Sequence, residues 1–326
     1  STQILYHLCK AMGIRTIVPT PTFFKDYMFI AESIEDLGVR GPETDKHGKF
    51  EIKYDLEVPF LFRNPKRVSK AKLIGQIANR IINTGLKYLI APLTQNWRGA
   101  RKSYQKLTSI YRTYKVHNLP DHYYSQPDEG ERFIYVPLHL QPEMTTDITG
   151  GLHYVDQALA IEQLARHLPQ DVAIYVKENP LQTAYMREDS FYKRIMSIPS
   201  LKLVRSEYSS HALIKNSIGV ANICGTAGWE CLQARKPTIT FGLAWYRDLP
   251  GAYHWEGDYS QVIKNFFAFE YDHDALVEAV AKKERLLWPG LIDPVLTLSD
   301  EQFANRKQAW RDSVDTMLAV YHRANQ

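Results

Sequence analysis

From Arg132 onward, short apolar runs alternate with amphipathic stretches at a spacing that leaves few folds open. Strands are expected near 133–138, 172–177, 201–204, 218–224 and 237–242, with helices near 154–167, 188–196, 210–216 and 227–235 between them. Strand and helix taking turns this way need crossover connections, which align the strands in parallel and lay helices on both faces of one sheet. The expected fold class is therefore α/β, with a doubly wound parallel sheet in the C-terminal part of the chain. Such sheets bind ligands beyond the carboxyl ends of their strands, so function is sought in the residues that follow each strand. Further helices are expected near 260–268, 274–287 and 300–323.

The N-terminal part is less regular. Ser1 to about Gly13 reads as a helix with Ile4, Leu5, Leu8 and Met12 on one stripe, followed by a strand from Ile14 to Val18 and a Pro-Thr-Pro turn. That is the tail of a βαβ unit without its first strand, so this part is expected to be a smaller, incomplete α/β domain belonging to something longer. Residues 40–68, rich in Gly, Pro and charge, read as loop. Helices follow near Ser69–Leu89 and Trp97–Tyr114, and the stretch Pro120–Gly130 reads as the domain boundary.

Composition narrows the class. With 326 residues, 44% hydrophobic and 23% charged, the chain is globular rather than disordered and long enough for two domains of ~150 residues. No apolar stretch reaches the ~20 residues of a membrane helix, so a soluble, cytoplasmic protein is expected. Cys9, Cys224 and Cys231 show no metal-ligand spacing, which fits buried thiols in a reducing compartment. The net charge of +4 is unevenly placed: Arg63–Leu73 carries five basic residues and no acid, and Trp97–Lys115 six and no acid, interleaved with Tyr104, Tyr111 and Tyr114. Such runs are solvated helix faces or attract an anionic acceptor or an anionic membrane surface. No nucleic-acid module accompanies them, so no nucleic-acid partner is expected.

Polar residues gather at the strand ends. The run Phe133–Leu138 ends in His139, Gln141 and Glu143, side chains a buried strand excludes. A carboxylate held there acts as base or nucleophile at a sugar carbon, with Asp147 and Asp156 in reserve; turn or cap duty is the alternative for both. The strand 172–176 ends in Lys177-Glu178-Asn179-Pro180, where an ammonium is placed to meet phosphate or simply ends a surface turn. Ser209-Ser210-His211 opens a short helix, as N-cap or phosphate seat. Gly225-Thr226-Ala227-Gly228 opens the helix carrying Trp229 and Glu230, so backbone N–H groups point at a diphosphate or monophosphate and a carboxylate one turn on accepts ribose hydroxyls. Phe241-Gly242 followed by Trp245-Tyr246 suits either stacking on a base or core packing. Asp272-His273-Asp274 matches an Asp-x-Asp metal motif but opens a helix, so capping is the expected role and no metal site is expected.

Taken together, Val-Pro-Leu-His-Leu-Gln-Pro-Glu143, Val-Lys-Glu-Asn-Pro180, Ser-Ser210, Gly-Thr-Ala-Gly-Trp-Glu230, Lys-Pro237 and Phe-Gly242 resemble the bacterial capsule polysaccharide biosynthesis family, which includes retaining β-Kdo transferases. The resemblance spans roughly Arg132–Tyr253 and implies a GT-B glycosyltransferase. Residues 1–125 would form the acceptor-side domain, 126–300 the nucleotide-sugar-binding Rossmann-like domain and 301–326 a C-terminal helix. It implies transfer from a nucleotide sugar, CMP-Kdo for the Kdo-transferring branch. The acceptor expected is a glycan or glycolipid, the basic runs add the inner face of the membrane as an expected location, and no further cofactor is expected. Glu143 falls in the family's Gln-Pro-Glu motif, and Ser209 and Ser210 fall near paired hydroxyls that resemble a phosphate-binding pair. Asn179 stands where related sequences usually read His; it donates a hydrogen bond but cannot protonate a leaving phosphate. The catalytic set expected is Glu143, Asp147, Asp156 and His139, and the donor-binding set Lys177, Glu178, Asn179, Ser209, Ser210, Gly225, Thr226, Ala227 and Glu230. Two other readings keep the fold: a polyol-phosphate transferase or sugar-nucleotide epimerase, and a catalytically inert binding or assembly subunit.

Overall fold

The computed structural model describes residues 2–22, 27–45, 47–49, 52, 70–117, 119–128, 130–182, 187–290 and 306–323. Its N-terminal part holds helix α1 (Thr2–Ala11), strands β1 (Val18–Pro21) and β2 (Tyr27–Ala31), and helices α2 (Lys70–Thr94) and α3 (Trp97–His117). Then follow β3 (Phe133–Pro137), α4 (Met144–Thr149), α5 (Gly151–Tyr154), α6 (Gln157–His167), β4 (Ala173–Lys177), α7 (Asp189–Met196), β5 (Leu201–Val204), α8 (Ser210–Asn216), β6 (Gly219–Asn222), α9 (Thr226–Gln233), β7 (Thr238–Thr240), β8 (Ala252–His254), α10 (Tyr259–Phe267), α11 (His273–Glu284) and β9 (Leu287–Pro289). A closing helix covers Arg306–Arg323.

The six strands β3 to β8 form one parallel sheet in the order β5-β4-β3-β6-β7-β8. This is the α/β, doubly wound architecture expected from the alternation. Successive residues of β3 serve opposite faces, as the pleat requires. Ile134 and Val136 pack with Ile174, Val176 and Leu203 under Ile161, Leu164, Tyr192 and Ile195 of α6 and α7. Phe133 and Tyr135 pack with Tyr175 and Val220 under Leu213, Ile214 and Cys231 of α8 and α9. With both faces covered, β4 is buried at all five positions, which is why it reads as a continuous apolar run. The winding reverses between β3, whose neighbour in sequence is β4, and β6 on its other side. Loops leaving adjacent strands in opposite directions open a crevice there.

The N-terminal part differs from expectation. Among the described residues no βαβ tail is present: β1 pairs antiparallel with β2 (Val18↔Ala31, Pro21↔Met28), and β9 pairs antiparallel with the other edge of β2. Pro19 and Pro21, read as a turn, belong to an edge strand, where a missing N–H is tolerated. The strand carrying the burial is β2, with Met28, Phe29, Ile30 and Ala31 at most 2% exposed. Phe29, with its strand partner Leu287 of β9, joins this small sheet to the large domain through Trp229, Trp245 and Tyr246. Helix α1 forms as expected, yet its stripe of Ile4, Leu5, Leu8 and Met12 is exposed. Instead Tyr6 turns inward, donating to Glu35 Oε2 (3.1 Å) and accepting from the Ile34 N–H (3.2 Å). Most of the expected loop at 40–68, the basic residues Arg63, Lys66 and Arg67, and residues 300–305 of the expected last helix lie outside the described residues. Strands β8 and β9, three residues each, are too short to leave a readable pattern.

Candidate active site

The carboxyl ends of β4, β3 and β6 lie side by side, each about 4.8 Å from the next, so their loops share one rim at the reversal of winding. Behind the β3 loop sits a buried polar network. Arg187, 3% exposed, donates from Nε to Glu178 Oε2 (2.9 Å), from one terminal nitrogen to Gln141 Oε1 (2.8 Å) and from the other to the His139 carbonyl (2.9 Å). Glu178 Oε2 also accepts from the Tyr192 hydroxyl (2.7 Å), and Oε1 from the Asn179 N–H (2.8 Å). Gln157 and Gln182 complete the network by bonding the backbone of His139 and Gln141. Gln141, read from sequence as one of the polar side chains that a buried strand excludes, is a core member of this framework at 1% exposure. Glu178 likewise spends its carboxylate on the framework, facing Arg187 and not the rim.

What the framework presents is His139 and Glu143. His139 Nε2 accepts from the backbone N–H of Ile223 at the end of β6 (3.3 Å), which puts the neutral ring's proton on Nδ1. Burial first, and the Arg187 charge second, pull its pKa down to about 4, so at neutral pH it is an uncharged hydrogen-bonding group and not a cationic acid. Its ring occupies the space a Cβ on Gly225 would need: Cε1 would lie 2.8 Å away. Gly225 is thus required by His139, and Gly228 by Tyr246, whose hydroxyl would meet a Cβ at 2.2 Å. Glu143 is exposed and precedes α4, accepting the Asp147 N–H on its backbone carbonyl (2.8 Å). Its charge is felt across the crevice at Cys224, whose thiol is pushed up to about 11, chiefly by burial. Cys224 is therefore no nucleophile.

On the β4 side, Lys177 is buried and donates from Nζ to the Tyr208 carbonyl (2.8 Å) and to Ser210 Oγ (2.6 Å). Ser210 Oγ also accepts from the Tyr135 hydroxyl (3.3 Å), leaving its own proton to donate. Glu230 reaches the same place from α9, 3.6 Å from His211 Nε2 and bonded by the Thr226 hydroxyl. Desolvation dominates both charges: it lowers Lys177 to about 8 against the pull of Glu230 and Glu207, and it raises Glu230 against His211, Thr226 and Lys177. Sequence reasoning placed His211 with Ser209 and Ser210 at this seat but did not single out Tyr135 or Tyr208. Tyr135 points from mid-strand, and only the α8 loop lying over the sheet brings it to Ser210.

The remaining candidates make local contacts. Asp156 caps α6 through the N–H groups of Ala158 and Leu159 and pairs with Arg194 (2.6 Å). Asp147 accepts from Gln141 Nε2 (3.4 Å). Ser209 caps α8 through the Ala212 N–H (3.2 Å), and Asn179 Oδ1 closes a turn on the Leu181 N–H (2.9 Å). Ala227 stands in the first turn of α9, partly buried against the core cluster that includes Tyr135. Trp245 is a core residue, 5.0 Å from Trp229 between ring centroids and 8% exposed, and offers no stacking face. Asp272 caps α11 through the Ala275 N–H (3.0 Å). Among the described residues no group of three or more His, Cys, Asp or Glu is placed to hold a metal ion.

A family model described as "Capsule polysaccharide biosynthesis protein" matches residues 90–253, half of the chain and all of the rim just described. The chain belongs to this family. The capsule-synthesis match takes in every candidate residue from His139 to Glu230. Curated proteins yield no match to the capsule-family chain. Among solved structures it is similar to the KpsC β-Kdo 2,4 transferase of Thermosulfurimonas dismutans, at 12% identity over 86% of this chain and 75% of that one, with a TM-score of 0.36. The β-Kdo 2,7 transferase of the same organism gives 12% identity over 82% and 80%, TM-score 0.36. A UDP-GlcNAc 2-epimerase of Methanocaldococcus jannaschii gives 14% over 46% and 44%, TM-score 0.32. At these TM-scores the structural likeness is loose, and membership rests on the 90–253 match alone.

Proposed function

We propose that this capsule-family protein is a glycosyltransferase that moves a sugar from a nucleotide-activated donor to a glycan or glycolipid acceptor. The observation that carries the reading is the seat around Lys177. A buried ammonium pulled down to about 8 is an under-compensated charge, and an anion placed against it recovers the lost solvation. A donor phosphate meets that need. It would sit between Lys177 Nζ, the Ser210 hydroxyl and the first-turn N–H groups of α9, whose dipole favours negative charge. Glu230, beside the seat, would accept ribose hydroxyls. Glu143, exposed on the other lip of the crevice, would act on the reacting sugar carbon, with neutral His139 donating a hydrogen bond from Nδ1. The family resemblance adds CMP-Kdo as donor and retention of stereochemistry as part of the same proposal.

The test is turnover with CMP-Kdo and oligosaccharide acceptors, preceded by a thermal-shift screen with CMP, UDP, GDP and CDP. A shift with one nucleotide, an acceptor-linked product, and a fall of about a hundredfold or more in Glu143→Gln are expected. Equal turnover in Glu143→Gln removes it from the mechanism. A shift with none of the four supports an inert subunit, and a product formed without acceptor supports an epimerase.

A further inference from the structure

The α2–α3 hairpin is built inside out. On α2, Thr84 and Ala91 face inward and are buried with Ala100 and Ser103 of α3, and Lys87 Nζ donates to Ser103 Oγ (2.9 Å) across the contact. These are small residues that bring the helices close. The large apolar residues point the other way: Ile82, Leu86, Leu89 and Leu93, spaced i, i+4, i+7 and i+11, are 62%, 53%, 75% and 86% exposed, and Trp97 at the start of α3 is 55% exposed. A helix facing water carries its large apolar side chains toward its partner. Here a continuous apolar ridge faces outward, larger than scattered surface hydrophobes explain.

The charge around the ridge selects its occupant. Residues 70–117 hold ten Lys and Arg and no Asp or Glu, with Arg98, Arg101 and Lys102 exposed on α3. A second copy of the chain would press two acid-free faces together. Among the described residues no helix is long and apolar enough to cross a membrane, and Arg80 and Lys87 interrupt α2 itself. An apolar ridge flanked by cations with no spanning segment is the chemistry of a helix lying in the plane of an anionic bilayer surface.

We propose that the α2–α3 hairpin docks this protein on anionic phospholipid, with Ile82, Leu86, Leu89, Leu93 and Trp97 entering the headgroup–acyl boundary. The inference is independent of the catalytic reading, since none of these residues touches the rim of the sheet. It is tested by co-sedimenting the full chain with vesicles of phosphatidylcholine alone and of phosphatidylcholine with 30% phosphatidylglycerol, the latter composition chosen as the anionic probe. Binding is expected to the anionic vesicles only, to weaken about fivefold for each of Arg98, Arg101 and Lys102 changed to Ser, and to fall at least tenfold in Leu86→Ser/Leu89→Ser/Leu93→Ser. Quenching of Trp97 by brominated lipid, lost in Trp97→Phe, reports insertion, and an unchanged melting temperature in the exposed-site variants shows that they fold. Equal binding to both vesicles, no binding, or binding indifferent to the triple substitution overturns the proposal. So does concentration-dependent dimerisation abolished by Leu89→Glu, which assigns the ridge to a second copy, or RNA displacing the vesicles from the basic face.

Discussion

Replacing Arg187 by Met leaves the buried Glu178 carboxylate without its cation. Both side chains are almost fully shielded, at 1% and 8% exposure, so the Coulomb attraction between them is weakly screened and the abandoned charge finds no water. Breaking such a pair from one side costs about 3–5 kcal/mol, a large part of the roughly 5–15 kcal/mol that holds a folded domain. The loss from Glu178→Gln alone is expected to be similar, because Arg187 is then the stranded ion. Removing both charges strands neither, so Arg187→Met/Glu178→Gln is expected to recover about 2 kcal/mol relative to the sum of the single effects. Urea unfolding followed by circular dichroism gives all four stabilities, provided the slope is shared. Arg187 also lowers the pKa of His139, so the same substitution should raise the midpoint of that imidazole in an NMR titration. Strict additivity of the two substitutions, together with an unmoved His139, would show that the framework does not depend on the pair.

Lys177 links pH to binding and stability in opposite senses. Its folded pKa of about 8 lies below its ordinary value of 10.5, so between these limits the unfolded chain binds the extra proton and stability rises with pH. Over the same window the free protein loses the ammonium, and nucleotide affinity is expected to fall through pH 8; Lys177→Met should bind weakly at every pH, and a wild-type affinity flat from pH 7 to 10 would contradict the assignment. In Gly228→Ala the new methyl meets Tyr246 Oη and Asn222 Nδ2 at 2.2 and 2.5 Å, and the two side chains are held together by the Tyr246 hydroxyl donating to Asn222 Oδ1 (3.0 Å). Overpacking of this kind costs about 1–3 kcal/mol, so a lower melting temperature is expected, and an unchanged one would mean that α9 shifts freely.

What the sequence showed depended on how local each signal was. The run Ala173–Lys177 could be read because all five positions are buried, and a lysine ending such a run stands out. Order within the sheet could not be read: nothing in β3 or β6 announces that they are neighbours, yet their adjacency brings His139 to Gly225. At the rim, three polar residues after β3 marked a site, but their division of labour stayed hidden. Gln141 and Glu143 differ in role because Arg187, 46 residues beyond Gln141, claims one and not the other. The glycines of Gly-Thr-Ala-Gly suggested room for a phosphate, whereas each is fixed by an intramolecular neighbour from a distant loop. The α1 stripe misled for a different reason, since periodicity shows that a helix is amphipathic and not which side is buried. The antiparallel β1–β2 pair was obscured by its prolines, which an edge position accommodates.

The account stands on Lys177 being the seat of a nucleotide phosphate at the β3–β6 crevice. The most direct measurement is a crystal structure with the nucleotide that gives the largest thermal shift. The account predicts a phosphate oxygen within hydrogen-bond distance, about 3 Å, of Lys177 Nζ, with the first turn of α9 beneath it and Glu143 facing the sugar side. A nucleotide bound elsewhere, with Lys177 still holding only Tyr208 and Ser210, would contradict it.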